Sequence, residues 1–284
     1  MVTAIWGCTF VVVKGALADA APLPFLAVRF ILAGLLLLAI LGRGRVERGA
    51  IFPGCILGLF LFAGYLFQTW GLVYTTPSKS AFLTGFSVIL VPLILIISGL
   101  RRNGSRDRRG PVNLFGAVLG LMGIYLLVAP SGMAGVNRGD ILTLAGALSF
   151  AIHIVLVGRY TQKFSFLHLV PVQILAVGLL SLFALPLAPH QTLHLTGRLV
   201  MAILITAVLA TGVAFSVQNW AQQYTPAAHT ALIFAFEPVF AALSSWLVMK
   251  EHLGSRVLLG SGLILAGMVV SEIWGSTAPS PVEG

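Results

Sequence analysis

Charge is what this chain has least of. Only 9% of its 284 residues are Asp, Glu, Lys or Arg, where a soluble domain carries about a quarter. So few charges cannot cover the surface of a water-soluble fold of this size, and the mean hydropathy of +1.01 points to lipid as the solvent. Cysteine is equally scarce. Cys8 and Cys55 each sit in an apolar run and make neither a disulfide framework nor a zinc-ligand spacing, so both are read as small buried residues. The phosphate-cradling pattern GxxxxGK[ST] is missing, which removes ATP as the driving force. No motif calls for a metal or a cofactor, and none is expected. The first apolar run starts at Met1 without a basic n-region or a small-residue cleavage site, so a cleavable signal peptide is not expected. That run is short for a membrane crossing, which takes roughly 17–25 residues.

What the chain has is long apolar runs. They predict ten helices at 1–18, 23–41, 51–74, 80–99, 111–130, 140–159, 166–187, 198–221, 228–249 and 256–275. The runs are continuous rather than alternating, which argues against barrel strands. The net charge of +9 lies in short loops between the runs, a placement that suits topology control better than nucleic-acid binding. With the N-terminus in the cytoplasm, the inner loops hold Arg43, Arg45, Arg48, Arg101, Arg102, Arg106, Arg108, Arg109, Arg159 and Lys163. The outer loops then hold only Lys79, Arg138, Arg198, Lys250 and Arg256. The positive-inside rule favours this orientation, with both termini cytoplasmic and the protein in the cell's inner (plasma) membrane.

The chain also repeats itself. QTWGLVYTTPSKSA (68–81) and QNWAQQYTPAAHTA (218–231) share Gln, Trp, Tyr, Thr and Ala at the same places without a gap. FLTGFSVILVP (82–92) parallels LIFAFEP (232–238) with four residues fewer, matching Pro92 to Pro238, and Gly116 and Gly123 match Gly260 and Gly267. Five spans per half is an odd number, so the second half enters the membrane inverted. The expected fold is an all-α integral membrane protein of ten transmembrane helices as two inverted five-helix repeats, 1–133 and 134–276, followed by a disordered tail at 277–284. Inverted repeats supply two conformations of similar energy, open to opposite faces.

Several blocks carry a family resemblance: WGCTFVVVK (6–14), VRFILAGLL (28–36), AFLTGFSVILVPL (81–93), EPVFAALSSWLVMKEHLG (237–254) and LLGSGLILAG (258–267). The chain resembles the EamA family of the drug/metabolite transporter superfamily over nearly its whole length. The resemblance implies ten helices in two inverted halves and a carrier of small organic solutes, an exporter of amino acids or other metabolites. It departs from the family pattern at Arg101 and Arg102, where many repeats carry a Gly-Glu turn.

Candidate substrate-binding residues follow from polarity inside the spans. Glu237 is the one acidic residue well inside a predicted span, and Pro238 frees a carbonyl beside it. It is a ligand for substrate or the site of proton coupling, or else a structural carboxylate at a kink. Gln68 and Gln218 are repeat-related amides; Gln173, Thr84 and Asn219 add polar groups on neighbouring spans. Interhelical hydrogen bonding is the structural alternative for all of them. Trp6 and Phe10 share a face of the first helix at i, i+4. His153 lies within the sixth span, where it titrates near neutrality or sits hydrogen-bonded in the interior. Lys14 and Arg29 are read as snorkelling to the outer surface, with attraction of a substrate carboxylate as the other role.

The expected function is secondary transport of small organic metabolites by alternating access, without enzymatic activity. Its partners are a small-molecule substrate, the lipid bilayer and, as candidate coupling ion, protons; no nucleic acid is expected, and a chain holding both halves can act as a monomer. The rival readings are a membrane-embedded enzyme acting on lipid or prenyl substrates and a passive channel. The enzyme would need a dense polar or metal-binding centre.

Overall fold

The computed structural model describes residues 1–41, 46–98, 110–128, 137–188 and 191–273. Among them the fold is all-helical, and the one β-type contact is an isolated bridge between Ala20 and Leu193. The α-helices are α1 (Val2–Ala16), α2 (Pro22–Leu41), α3 (Arg48–Tyr74), α4 (Pro77–Gly85), α5 (Ser87–Ile97), α6 (Gly110–Val128) and α7 (Arg138–Tyr160). They continue with α8 (Phe166–Ala184), α9 (Gly197–Ile205), α10 (Ala214–Ala221), α11 (Ala227–Phe234), α12 (Glu237–Met249) and α13 (Ser255–Ile273). Arg43, Arg45, Arg101, Arg102, Arg106, Arg108, Arg109 and the tail 277–284 lie outside the described residues.

Six helical stretches are long and apolar enough to cross a bilayer: Pro22–Leu41, Arg48–Tyr74, Pro77–Ile97, Arg138–Tyr160, Phe166–Leu187 and Gly197–Ala221. The protein is a multi-pass membrane protein. Its outer girdle is apolar, with Leu35, Phe52, Ile97, Phe183 and Val248 all exposed, a pattern that would aggregate in water and is ordinary against lipid. Cys8 and Cys55 belong to that girdle. Their expected burial is thus corrected: where lipid is the solvent, a small apolar side chain gains nothing by facing inward.

Helix starts follow from capping chemistry. Thr76 accepts from the Lys79 amide ahead of Pro77, Asn137 from Gly139, Ser165 from Leu167 and Thr196 from Leu199. Two predicted helices are interrupted. The 80–99 run divides at Phe86 into α4 and α5, and the 228–249 run divides at Ala235–Phe236, just before the Glu237–Pro238 pair. Pro92 lies inside α5 rather than at its break. Phe86 and Phe236 therefore correspond without a gap, Pro92 does not match Pro238, and the length difference between the halves falls after the breaks. The predicted 198–221 helix holds a π-helical stretch at Thr206–Val213 between α9 and α10, which widens the helix and redirects its carbonyls.

Small residues set the tightest packing. A β-carbon at Gly123 of α6 would lie 2.5 Å from the Gly260 carbonyl of α13, and one at Gly267 would lie 2.5 Å from the Gly116 carbonyl. Gly54 and Gly58 of α3 similarly leave room for Val172 and Ala176 of α8. The main core gathers around α2, where Phe25, Leu26 and Phe30 are fully buried against α3 and α8. A second apolar cluster joins α4, α5, α7 and α11.

Candidate functional site

The two interrupted helices, together with α1, α2, α3, α7 and α10, surround a cavity of about 70 Å³. Of the sequence-predicted residues, Trp6, Phe10, Gln68, Thr84, His153, Gln218 and Glu237 line it. Gln173 stands behind the wall, fully buried and hydrogen-bonded to His153 at 2.8 Å and to Asn219 at 3.0 Å.

Aromatic rings form the frame. The Trp6 indole donates to the Ala210 carbonyl in the π-helical stretch at 2.8 Å and packs against Phe215 and Phe234, with centroids 5.2 and 5.0 Å away. Tyr65 bridges Phe30 and Phe150 edge-on.

Backbone carbonyls, which can only accept, fix the polar side chains. Asn219 donates through Nδ2 to the Phe215 carbonyl, so its Oδ1 faces Gln173, which donates from Nε2. Gln173 then offers Oε1 to His153, whose Nε2 carries the hydrogen. The second relay has the same logic. Gln222 donates to the Ile154 carbonyl at 3.1 Å and accepts from Gln218 Nε2 at 3.0 Å. Among the described residues Gln218 Oε1 is left buried without a partner, an acceptor available to a ligand. Across the cavity, Gln68 donates to the Thr84 hydroxyl at 3.1 Å.

The charges matter most. Glu237 opens α12 at the break and makes no hydrogen bond or ion pair among the described residues. Arg29 was expected to snorkel; instead it is 2% exposed and lines the cavity. The reason is its place in α2, two turns past Pro22, where the main core closes around it. Its Nε donates to Thr211 at 3.0 Å, and its guanidinium lies 4.9 Å from the centroids of Phe30 and Tyr65. Each such ring contributes about 2 kcal/mol when desolvated, yet no carboxylate pairs with Arg29 among the described residues. The sequence signal for this residue was an arginine inside a 20-residue apolar helix.

Lys14 stays at the helix end instead: its Nζ donates to the Leu72, Val73 and Thr75 carbonyls at the end of α3. That end of the bundle is cross-linked by polar ties around a second, open pocket. Lys79 pairs with the fully buried Asp140 at 2.7 Å, Thr75 donates to the same carboxylate, and Glu251 accepts from Ser78 at 2.8 Å and also from Ser245. Nearby, Arg198 and Thr196 bond Asp19 at 2.9 and 2.7 Å; the Arg198 hydrogen bond, more than that from Thr196, holds the Asp19 carboxyl below the ordinary range.

The EamA-like transporter family matches the chain twice, over residues 1–129 and 137–272. The chain belongs to the EamA-like transporter family. Relatives span it almost end to end. An uncharacterized transporter of Archaeoglobus fulgidus is 37% identical over 275 residues, covering 96% of this chain and 84% of its own length. The uncharacterized transporter YoaV of Bacillus subtilis is 23% identical, covering 95% and 94%. The uncharacterized inner membrane transporter YedA of Escherichia coli K12 is 27% identical, covering 94% and 86%. A crystal structure shares the fold at a TM-score of 0.70 and 18% identity, with 95% of this chain and 94% of the other aligned. A membrane transporter is thus the established class.

Proposed function

We propose that the chain is a secondary transporter that carries small organic metabolites by alternating access, with the central cavity as its substrate site. The ten crossings form two inverted five-helix halves, 1–133 and 134–276, in one functional monomer. Both termini face the cytoplasm of a cell whose inner (plasma) membrane holds the protein.

The observation that carries this reading is the pairing of the cavity wall. Tyr65 and Phe215, Gln68 and Gln218, Thr84 and Phe234, and Ser87 and Glu237 line it as pairs 150 residues apart in the sequence. Trp6 and Phe150, Thr9 and His153, and Phe10 and Ile154 line it as pairs 144 residues apart. Helix packing supports the same twofold relation. Gly34 meets Leu175 and Gly178 meets Ile31, a reciprocal contact at the 144-residue spacing, as is the Gly123–Gly260 and Gly267–Gly116 contact. A cavity built from matched halves is what an exchange of shapes between those halves requires.

The polar ties among Lys14, Lys79, Asp140, Ser78 and Glu251 fall at the outer end in this orientation. Lys14 ties α1 to α3 within the first half, while Thr75 and Lys79 reach Asp140 of α7 and Ser78 reaches Glu251 just past α12; the cross-half ties act as a lock that must open for release outward. Glu237, unpaired in the cavity, is the candidate proton-coupling group.

Flux of small metabolites in proteoliposomes, with and without a pH gradient, tests the reading. Saturable flux that a pH gradient accelerates in the wild type but not in Glu237→Gln is expected. Flux that never saturates would indicate a channel, and equal pH dependence in the variant would remove Glu237 from coupling.

A further inference from the structure

The two halves of the cavity match in shape and differ in charge. Arg29 corresponds to Gln173 at the 144-residue spacing, and Glu237 corresponds to Ser87 at the 150-residue spacing. The duplicated frame thus carries one cation in its first half and one carboxyl in its second, and no ion pair joins them among the described residues. On this basis, and resting on the transporter reading above, we propose that Arg29 is the residue that recognises a substrate carboxylate, opposed by Glu237 and Gln218 as the pole for a substrate ammonium group, so that the site selects zwitterionic solutes.

Three observations build the argument. Arg29 is held rather than mobile: Nε is pinned to Thr211, and the guanidinium plane lies against Phe30 and Tyr65. Tyr65 shares a side-chain hydrogen bond with the group, and the remaining terminal N–H groups are held as a fixed fork, the geometry that carboxylates match in bidentate fashion. Its burial without an acidic partner is costly in the empty site and is relieved when an anion arrives. The opposite pole offers acceptors while Glu237 is ionised. Gln218 Oε1 is oriented by the Gln222 relay, and among the described residues neither it nor Glu237 has a hydrogen-bond partner. A plain anion would satisfy Arg29 and leave Glu237 unpaired; a plain amine would do the reverse. A zwitterion answers both, and the aromatic frame between them suits an apolar side chain.

Counterflow of each of the twenty standard L-amino acids in proteoliposomes is the starting experiment. The amino acid transported best is then challenged with its carboxamide, which lacks the carboxylate, and with its deaminated acid, which lacks the ammonium. Each analogue should compete at least about tenfold more weakly than the parent, the scale of a lost hydrogen-bonded charge. Arg29→Gln should bring parent and carboxamide within about threefold of each other, through loss of parent affinity, whereas Arg29→Lys should keep their order. Thr211→Val, which frees the guanidinium while keeping its charge, should weaken the parent and leave the carboxamide unchanged; it serves where Arg29→Gln does not fold. A carboxamide that competes as well as the parent in the wild type overturns the proposal, as does an Arg29→Gln protein whose losses are equal for all three compounds. Transport of sugars or nucleosides but of no amino acid would end the zwitterion assignment and leave the transporter reading standing. Flux of no solute at all would end both.

Discussion

Replacing Asp140 by asparagine should unlock the outer end of the bundle. Asp140 is fully buried and accepts from Lys79 Nζ at 2.7 Å and from Thr75 Oγ1 at 3.2 Å. Removing its charge leaves an ammonium facing a neutral amide and weakens both bonds. Hydrogen bonds to charged groups contribute about 1.5–3 kcal/mol each. Lys79 keeps about a fifth of its side chain exposed, so the loss belongs near the lower end, about 2 kcal/mol in total. In the open state both groups are hydrated separately and the substitution costs little. The closed state alone is therefore penalised, by about thirtyfold in population. Ser80, fully buried one turn into α4, reports on that end. In a Cys8→Ser, Cys55→Ser background, Ser80→Cys should react slowly with a membrane-impermeant maleimide, and about thirtyfold faster once Asp140→Asn is added. An unchanged labelling rate in a protein that still melts cooperatively would refute the lock.

Two further outcomes are expected. Gly123→Ala and Gly267→Ala should each destabilise the protein by about 1–3 kcal/mol, because α6 and α13 must separate to admit the methyl group; each β-carbon would stand 2.5 Å from a carbonyl of the facing helix. Thermal melts in detergent check this, and unchanged midpoints would contradict the packing. Asp19→Asn tests the bridge to Arg198. The folded Asp19 carboxyl titrates below its ordinary value of 3.8, so its stabilisation is present above that pH and is lost as pH falls through the folded value. The midpoint difference between wild type and variant should be seen near neutral pH and vanish in strong acid; a difference that grows on acidification would reverse the assignment.

Much of this was readable before any coordinates. Low charge and long apolar runs suffice for a multi-pass helical protein, because lipid leaves the backbone few alternatives. The repeated Gln-Trp-Tyr-Thr pattern pointed to Gln68 and Gln218, which face one cavity. What the sequence hid was mostly direction. Arg29 lies near a helix end in the sequence, where snorkelling is the usual fate; only the closure of Phe25, Phe30 and Tyr65 around it turns it inward. Gln173 has the composition of a cavity residue but spends its amide on His153 and Asn219. The break at Phe86 has no proline to announce it, so Pro92 drew the alignment four residues out of place. Cys8 and Cys55 were misjudged because burial preferences learned in water do not hold in lipid.

The most direct test of the two-faced cavity is trans-stimulation in proteoliposomes. With one site served by two alternating openings, an excess of unlabelled solute inside should accelerate entry of the labelled solute several-fold over empty vesicles. Entry that is indifferent to the internal solute, or slowed by it, would contradict alternating access.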